Sequence, residues 1–360
     1  MVGSFKVQRR CDGNRLVTWC ANAIIAIAVL PSSVPAFAQK IMNGEVGVNL
    51  AGAEFAPTSG IYGKAYLYPN REELRYYKSK GVRLFRIPFS WERLQDTLNG
   101  PLNQVELDRL DAVVNAAGEL HLKLILDVHG YDRYQGKMIG NDENLERGLG
   151  DLWRRLAEHY RSANGVYGYG LMNEPHETEG TWPHTAQIAI DAIRMTDRQH
   201  FILLAGDHWS SATAWPESNP KILDVHDPAQ RLIYEGHIYF DRDGSGVYKA
   251  SYDETGAYPD IGPTRVKPFI DWLKANNVHG IIGEFGVPND DPRWNEVIDR
   301  FLKTLQNAHL SGVYWAGGPN WHDYRLSCEP SATGDAPQMK VLSRYAKRHR
   351  RFWISFLRFW

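Results

Sequence analysis

The chain has 360 residues, of which 43% are hydrophobic and 23% charged, with a formal net charge of −1. That balance is globular, long enough for one α/β barrel or two smaller domains, and it lacks the basic excess that a nucleic acid or another polyanion would call for. Trp (12) and Tyr (18) are abundant; such rings fill large cores and also stack on the flat C–H faces of sugars.

The first segment has the pattern of an export signal. Lys6, Arg9, Arg10 and Arg15 make a basic start, Leu16 to Leu30 is mainly apolar, and Ala36-Phe37-Ala38 matches the small-x-small cleavage pattern. The apolar stretch is short for a membrane span. Residues 1–38 are therefore read as a cleaved signal peptide, and the mature protein as secreted or periplasmic with no stable membrane span. Cleavage removes four cations and one anion and takes the net charge from −1 to −4. It also removes Cys11 and Cys20, which leaves Cys328 alone and no internal disulfide; a domain of this size can rely on its core instead. No Cys/His spacing of a zinc site occurs.

From residue 39 onward, apolar strand-like runs alternate with helical patterns. The runs cover 46–50, 82–88, 122–128, 166–172, 201–205, 232–239, 278–283 and 312–315. The helical segments cover 71–80, 104–120, 144–161, 185–198, 266–276, 293–308 and 336–348. The second of these has apolar residues at 107, 110, 113, 114 and 117, a helical period. Asp142 or Asn144 reads as a cap for the third, and Gly81 and Gly118 fall at or near helix ends. The link between the fifth and sixth runs is the least regular, with Pro216, Pro220 and Pro228. Eight rounds of strand and helix predict an α/β fold, a single (β/α)₈ TIM barrel. A doubly wound sheet would show a glycine-rich phosphate turn after an early strand, and none is present. No Pro/Ser/Thr linker marks a second domain. Residues 39–343 are assigned to the barrel and 344–360 to a basic aromatic tail, read as the end of the last helix plus a terminal segment; its cations and rings would also suit a membrane surface, an anionic polymer or a sugar. A monomer is expected.

Two acidic motifs lie 110 residues apart, Leu171-Met172-Asn173-Glu174-Pro175-His176 and Ile281-Ile282-Gly283-Glu284-Phe285-Gly286. Each sets one carboxylate after an apolar run and before a chain breaker, where a buried parallel strand leaves the core. In a (β/α)₈ barrel that rim carries the active site. Strands four and seven face each other across the mouth, so the two carboxylates can converge on one bond. Glycosidic cleavage needs such a pair: one carboxylic acid to protonate the leaving oxygen, and one carboxylate to attack the anomeric carbon or activate water.

With these motifs the chain resembles glycoside hydrolase family 5, in its endo-β-1,4-glucanase branch, over essentially the whole mature length. Asn173-Glu174-Pro175 resembles the family's acid/base motif and Gly283-Glu284-Phe285-Gly286 its nucleophile motif. Arg86 in Phe85-Arg86-Ile87-Pro88-Phe89 matches the strand-two arginine that orients the nucleophile. His129 matches the strand-three histidine, His237 and Tyr239 the strand-six pair, and Trp315 the strand-eight tryptophan that forms a sugar platform. Gly47-Val48-Asn49-Leu50-Ala51-Gly52-Ala53-Glu54-Phe55 is similar to the opening strand of the branch. Gly130 departs from the pattern, where many relatives carry Asn. The resemblance implies retaining double displacement with Glu174 as acid and then base and Glu284 as nucleophile, the carboxyl groups roughly 5–5.5 Å apart. It implies a β-glucan polysaccharide as substrate and partner, with no metal or organic cofactor. Arg86 is expected to lower the pKa of Glu284, and the neighbouring carboxylate to raise that of Glu174. Asn173 is expected to bind the sugar 2-hydroxyl, and His129 and His237 to bind sugar hydroxyls or the surroundings of Glu174. Trp209 and Trp321, in loops after strands five and eight, are candidates for sugar stacking.

Simpler readings exist for each residue taken alone. A strand-end Glu can be a cap, a buried Arg can close a structural ion pair, and a His or Trp can be core. They explain one such Glu easily and two with these neighbours poorly. Trp91 and Trp182 are weaker candidates, and Trp91, which follows strand two, suits packing. Asp241-Arg242-Asp243-Gly244-Ser245-Gly246 looks like half of a calcium loop, but its twelfth position is Tyr252 and no helix precedes it, so a turn is expected. The same machinery would serve mannan, xyloglucan or mixed-linkage glucan, since loop shape sets that choice. A non-catalytic carbohydrate-binding barrel is the more distant alternative.

Overall fold

Eight parallel strands close a barrel in chain order: β1 Val46–Leu50, β2 Leu84–Phe89, β3 Lys123–Val128, β4 Val166–Gly170, β5 Phe201–Ala205, β6 Leu232–Tyr239, β7 Gly280–Gly286 and β8 Ser311–Gly317, with β8 pairing back onto β1. The computed structural model describes residues 41–356 except 322, with side chains through 347. The signal-peptide reading of residues 1–38 falls outside the described residues. No helix among the described residues is long and apolar enough to cross a membrane.

Among the described residues seven long helices wrap the barrel: α1 Arg71–Ser79, α2 Gln104–Glu119, α3 Glu143–Tyr160, α4 Trp182–Arg194, α5 Ile261–Asn276, α6 Arg293–Asn307 and α7 Pro337–Phe356. Asn70 opens α1 with a capping box that includes Glu73, Asn103 caps α2, and Asp142 rather than Asn144 caps α3. The sequence pattern starts α4 three residues late; the helix begins at Trp182 with Pro183 in its first turn, a position that needs no donor. Between β5 and β6 there is no long helix, only short turns at Asp207–Ser210, Trp215–Ser218 and Ile222–Asp224, in a stretch broken by three prolines. The expected tail begins inside α7: Tyr345 is buried and its hydroxyl donates to the Asp299 carbonyl at 2.8 Å, while Arg344 pairs with the Asp299 carboxylate at 2.9 Å.

Strand alternation divides the barrel interior by height. Leu84, Ile125, Ile233 and Ile281 point into one apolar layer, closed from below by Ile41 and Met42. Two residues further along, the same faces of β2, β3 and β6 present Arg86, Asp127 and Glu235, all buried. β7 supplies Gly283 at that level. A Cβ there would lie 1.9 Å from Glu235 Oε1, so only glycine leaves room for that carboxylate. The register of β7 against β6 then shifts between Gly236 and His237, and Glu284 falls opposite His237. Pairing continues to Tyr239 and Gly286, so Glu284 lies inside a strand longer than the sequence pattern predicted. Glu174 is the reverse case: β4 ends at Gly170, and the acid stands in the loop beyond it.

Candidate active site

Arg86 is the hub. Its side chain is fully buried; both terminal nitrogens donate to named acceptors, while Nε lies at ion-pair distance from Glu235 without a hydrogen bond. Nη1 donates to Glu284 Oε1 at 2.9 Å and to Asn49 Oδ1 at 3.1 Å; Nη2 donates to Asn173 Oδ1 at 2.7 Å. Asp127 Oδ1 and Glu235 Oε1 each stand 3.0 Å from the guanidinium. Burial works against the charge of Arg86, but Asp127, Glu235, Glu284 and Glu174 outweigh it and hold its pKa above the ordinary value. Asn49 in turn donates from Nδ2 to the Gly283 carbonyl at 2.9 Å, fixing the backbone next to Glu284.

Glu284 is buried and held at both oxygens, by Arg86 at Oε1 and by the Tyr239 hydroxyl, which donates to Oε2 at 2.8 Å. Burial raises its pKa and the charge of Glu174 adds to this, while His237 and Arg86 pull the other way. The expected lowering by Arg86 is thus present, but burial of the whole carboxyl exceeds it. Glu174 is less buried than Glu284, with 17% of its side chain exposed, as a group that must reach a leaving oxygen needs to be. Its backbone takes φ 44°, the left-handed region that residues with a Cβ avoid.

His237 joins the two acids. Its Nδ1 lies 2.8 Å from Glu174 Oε1 and 3.7 Å from Glu284 Oε2, and its Nε2 lies 3.2 Å from Glu235 Oε1. Burial would lower its pKa; Glu284, Glu174 and Glu235 instead push it up to about 10, so the ring is an imidazolium at neutral pH and donates on both sides. One atom each of Glu174, His237 and Glu284 lie within 4.8 Å of one another, the only such trio of possible metal ligands among the described residues. With both ring nitrogens facing carboxylates and the proton so firmly held, the trio is a hydrogen-bonded acid–base set and a poor cation site.

The remaining candidates fall into two groups. His129 Nδ1 contacts Asp127 Oδ2 at 2.9 Å, its Nε2 faces Asn173 Nδ2 at 3.3 Å, and its ring stacks on Trp315 at 5.4 Å and 12°. Trp321 meets Trp315 edge-on at 5.7 Å, stacks on Tyr324 at 4.4 Å, and donates from Nε1 to the Gly317 carbonyl at 3.0 Å. These residues line the side of β3 and β8. Trp209 stands apart, exposed on the β5 side beside a cavity of about 560 Å³ that also touches Glu174, His237 and Tyr239. Trp91 and Trp182 are buried among packing partners, with Trp91 donating to Gln95 and Trp182 to the Ala205 carbonyl. The acidic turn after β6 is closed by its own donors: Gly246 N–H, Tyr248 N–H and the Ser245 hydroxyl all donate to Asp241.

Asp127 and Glu235 are participants that the motif reading passed over. Each is the one acid of its strand, on the inward face two residues beyond a floor residue, and that inward charge is the available signal. Glu54 was quoted only as part of an opening pattern. It is buried beside His129, its Oε2 accepts from Gly52 N–H at 2.7 Å, and its Oε1 has no partner.

Comparison with known proteins was made with this geometry in hand. Residues 43–321 match the family model described as cellulase (glycosyl hydrolase family 5). An endo-β-1,4-glucanase B from Emericella nidulans is 32% identical over 296 residues, covering 79% of this chain and 86% of that protein. The crystal structure of the Pseudomonas stutzeri endoglucanase Cel5A in complex with cellobiose superposes with a TM-score of 0.81 at 42% identity, covering 84% of this chain and 92% of that one. The endo-β-1,4-glucanase Xac0029 from Xanthomonas axonopodis pv. citri superposes with a TM-score of 0.78 at 32% identity, covering 84% and 98%.

Proposed function

The chain belongs to glycosyl hydrolase family 5, and on that premise we propose that it is an endo-acting β-1,4-glucanase that cleaves cellulose-type chains with retention at the anomeric carbon. The observation that carries the mechanism is the close approach of the two acids: an oxygen of Glu174 and one of Glu284 lie within 4.8 Å. That suits direct attack by one carboxylate better than it suits the wider gap, about 6.5–9.5 Å between carboxyl groups, across which an inverting pair holds its water.

In the first step Glu174 gives its proton to the leaving glycosidic oxygen while Glu284 attacks the anomeric carbon. The C–O bond to the leaving chain breaks and a glycosyl ester forms. Arg86 and Tyr239, donating to opposite oxygens of Glu284, hold it ionised and aimed before attack. His237 receives the new charge on Glu174 through its Nδ1–H. In the second step Glu174 takes a proton from water, the resulting hydroxide attacks the same carbon, and Glu284 departs as carboxylate. Asn173 and His129 stand beside Arg86 and Trp315, where a hydroxyl of the sugar being transferred would meet them. Trp315 and Trp321 serve the sugar on the glycone side and Trp209 the leaving side.

The test is product analysis from cello-oligosaccharides beside manno-oligosaccharides, with reducing-sugar release from cellulose, xyloglucan, mixed-linkage glucan and mannan. Cleavage confined to mannan would overturn the substrate, and binding without release from any polymer would overturn the activity. Export through cleavage after Ala38 and a monomeric state belong to the same reading. N-terminal sequencing of the protein from culture fractions, and its sedimentation coefficient, test them.

A further inference from the structure

The loop that carries the acid and the loop on the leaving side of the cleft meet through two rings. His176 follows Glu174 by two residues, and its imidazole lies parallel to the Trp209 indole, with centroids 4.6 Å apart and planes 12° from parallel. Trp209 is 43% exposed and lines the cavity shared with Glu174 and His237, which His176 does not line. One indole face is thus covered by His176 while the other is left for a ligand. Tyr131 closes the row from behind, edge-on to His176 at 6.1 Å.

The backbone makes the same link. Trp209 N–H donates to the Pro175 carbonyl at 3.0 Å, and His176 Nδ1 lies 3.1 Å from the Glu174 carbonyl oxygen. His208, Trp209 and Ser210 hold φ of 56°, 54° and 55°, three consecutive residues in a region that side chains disfavour. Such a conformation persists where the surroundings over-determine it. Here the packed His176 ring and the hydrogen bond from Trp209 N–H to the Pro175 carbonyl supply that constraint. An exposed Trp on a loop otherwise loses rotamer freedom when a ligand arrives, which weakens binding.

We propose that His176 is a positioning residue that stacks Trp209 into place as the platform for the sugar beyond the scissile bond, and so sets how strongly the enzyme favours a substrate with a sugar there. The proposal rests on Glu174 being the acid, since that fixes which half of the cleft is the leaving side. Its chemistry is recognition of a neutral pyranose face. It predicts that loss of the ring is felt by oligosaccharides and not by substrates whose leaving group carries no sugar.

Three variants separate the ring from the hydrogen bond. His176→Ala removes both, His176→Phe keeps the ring, and His176→Asn keeps a donor without the ring. Each is assayed on cellotetraose and on 2,4-dinitrophenyl cellobioside, which leaves as a phenolate. With aromatic stacking worth the usual amount, the Ala and Asn variants lose about three- to tenfold in kcat/KM on cellotetraose, the aryl substrate changes less than about twofold, and Phe stays near wild type. Trp209→Ala loses at least as much on cellotetraose, and adding His176→Ala to it costs little more. A loss that follows the donor, with Asn retained and Phe impaired, overturns the proposal, as does an equal fall on both substrates or no fall at all. A wild-type chain that cleaves neither substrate would instead sink the proposed function, so the two failures are distinguishable.

Discussion

On the floor of the barrel Leu84, Ile125, Ile233 and Ile281 fill the interior with hydrocarbon; two residues up the same strands, Arg86, Asp127 and Glu235 fill it with charge. Both layers are dry, and both are made by the same alternation of strand side chains. They differ in what replaces water. On the floor nothing polar needs replacing, and burial itself is the driving force. In the upper layer each charge loses its hydration and regains partners, three carboxylates around one guanidinium and then an imidazolium between Glu235 and Glu174. The floor can therefore be altered at a cost in stability alone, whereas the upper layer couples stability to chemistry. The predictions that follow try to break that separation.

The largest effect is expected at Glu284, which gains the new bond. Glu284→Ala should lower kcat on cellotetraose by at least about 10⁴-fold, as removal of a nucleophile does elsewhere. Added azide should restore turnover of an activated aryl cellobioside and give the inverted glycosyl azide. Glu174→Ala should still form the glycosyl ester from the same aryl substrate but hydrolyse it slowly for want of the base, and azide should restore turnover and give the retained product. Retained azide from the Glu284 variant, or inverted azide from the Glu174 variant, would reverse the assignment.

Arg86→Met comes next and tests the coupling directly. It leaves Asp127, Glu235 and Glu284 buried around an apolar chain, and removal of one partner from a buried ionic network costs about 3–5 kcal/mol. Urea melts should show that loss together with the loss of turnover. Ile125→Ala, one step down on β3, should cost about 2–5 kcal/mol by leaving a cavity and yet keep kcat within about twofold at a temperature where the variant is folded. A floor variant that lost activity in proportion to stability would show that the layers are not independent.

How far the sequence discloses these layers depends on period and spacing. All eight strands and seven long helices are readable because an apolar run bounded by breakers is a local signal, and the errors are at ends. β7 runs three residues past its predicted limit because its pairing with β6, a long-range fact, decides where it stops. The two glutamates are readable because their motifs are contiguous. Asp127 and Glu235 are not, because their meaning is set by Arg86, which lies 41 and 149 residues away in the chain. Gly283 carries the same lesson: its lack of a side chain is explained by the Glu235 carboxylate and by nothing local. The expected effect of Arg86 on Glu284 has the right sign, but the size of the opposing burial depends on how completely the barrel closes over the carboxyl.

That burial has a measurable consequence for the pH profile. Glu284 must be ionised to attack, and its pKa is raised above the ordinary carboxylate value by burial first and by Glu174 second. As pH falls through that raised pKa the nucleophile gains a proton and rate is lost. The acidic limb of kcat/KM should therefore lie above the ordinary Glu range near 4.3. A limb at or below that value would mean that Arg86 and His237 prevail over burial.

The smallest expected effect sits where the two layers' rule is only half obeyed. Glu54 is buried at the upper rim beside His129, but one of its oxygens has no partner, and burial pushes its carboxyl up to about 7. Because the folded value lies above the unfolded one, the neutral carboxyl is the favoured form in the native state. Its stabilising contribution is complete below about pH 4.5 and is lost as pH rises through about 7. The loss amounts to about 3 kcal/mol. Glu54→Gln, which cannot ionise, should remove this part of the pH dependence. Urea melts at pH 4.5 and pH 8 should show the variant gaining on wild type at the higher pH, while turnover changes little because Glu54 makes no contact with either catalytic acid. If the difference between the two proteins is the same at both pH values, the carboxyl of Glu54 ionises without cost, and His129 must then supply the counter-charge that Arg86 supplies to its own three acids.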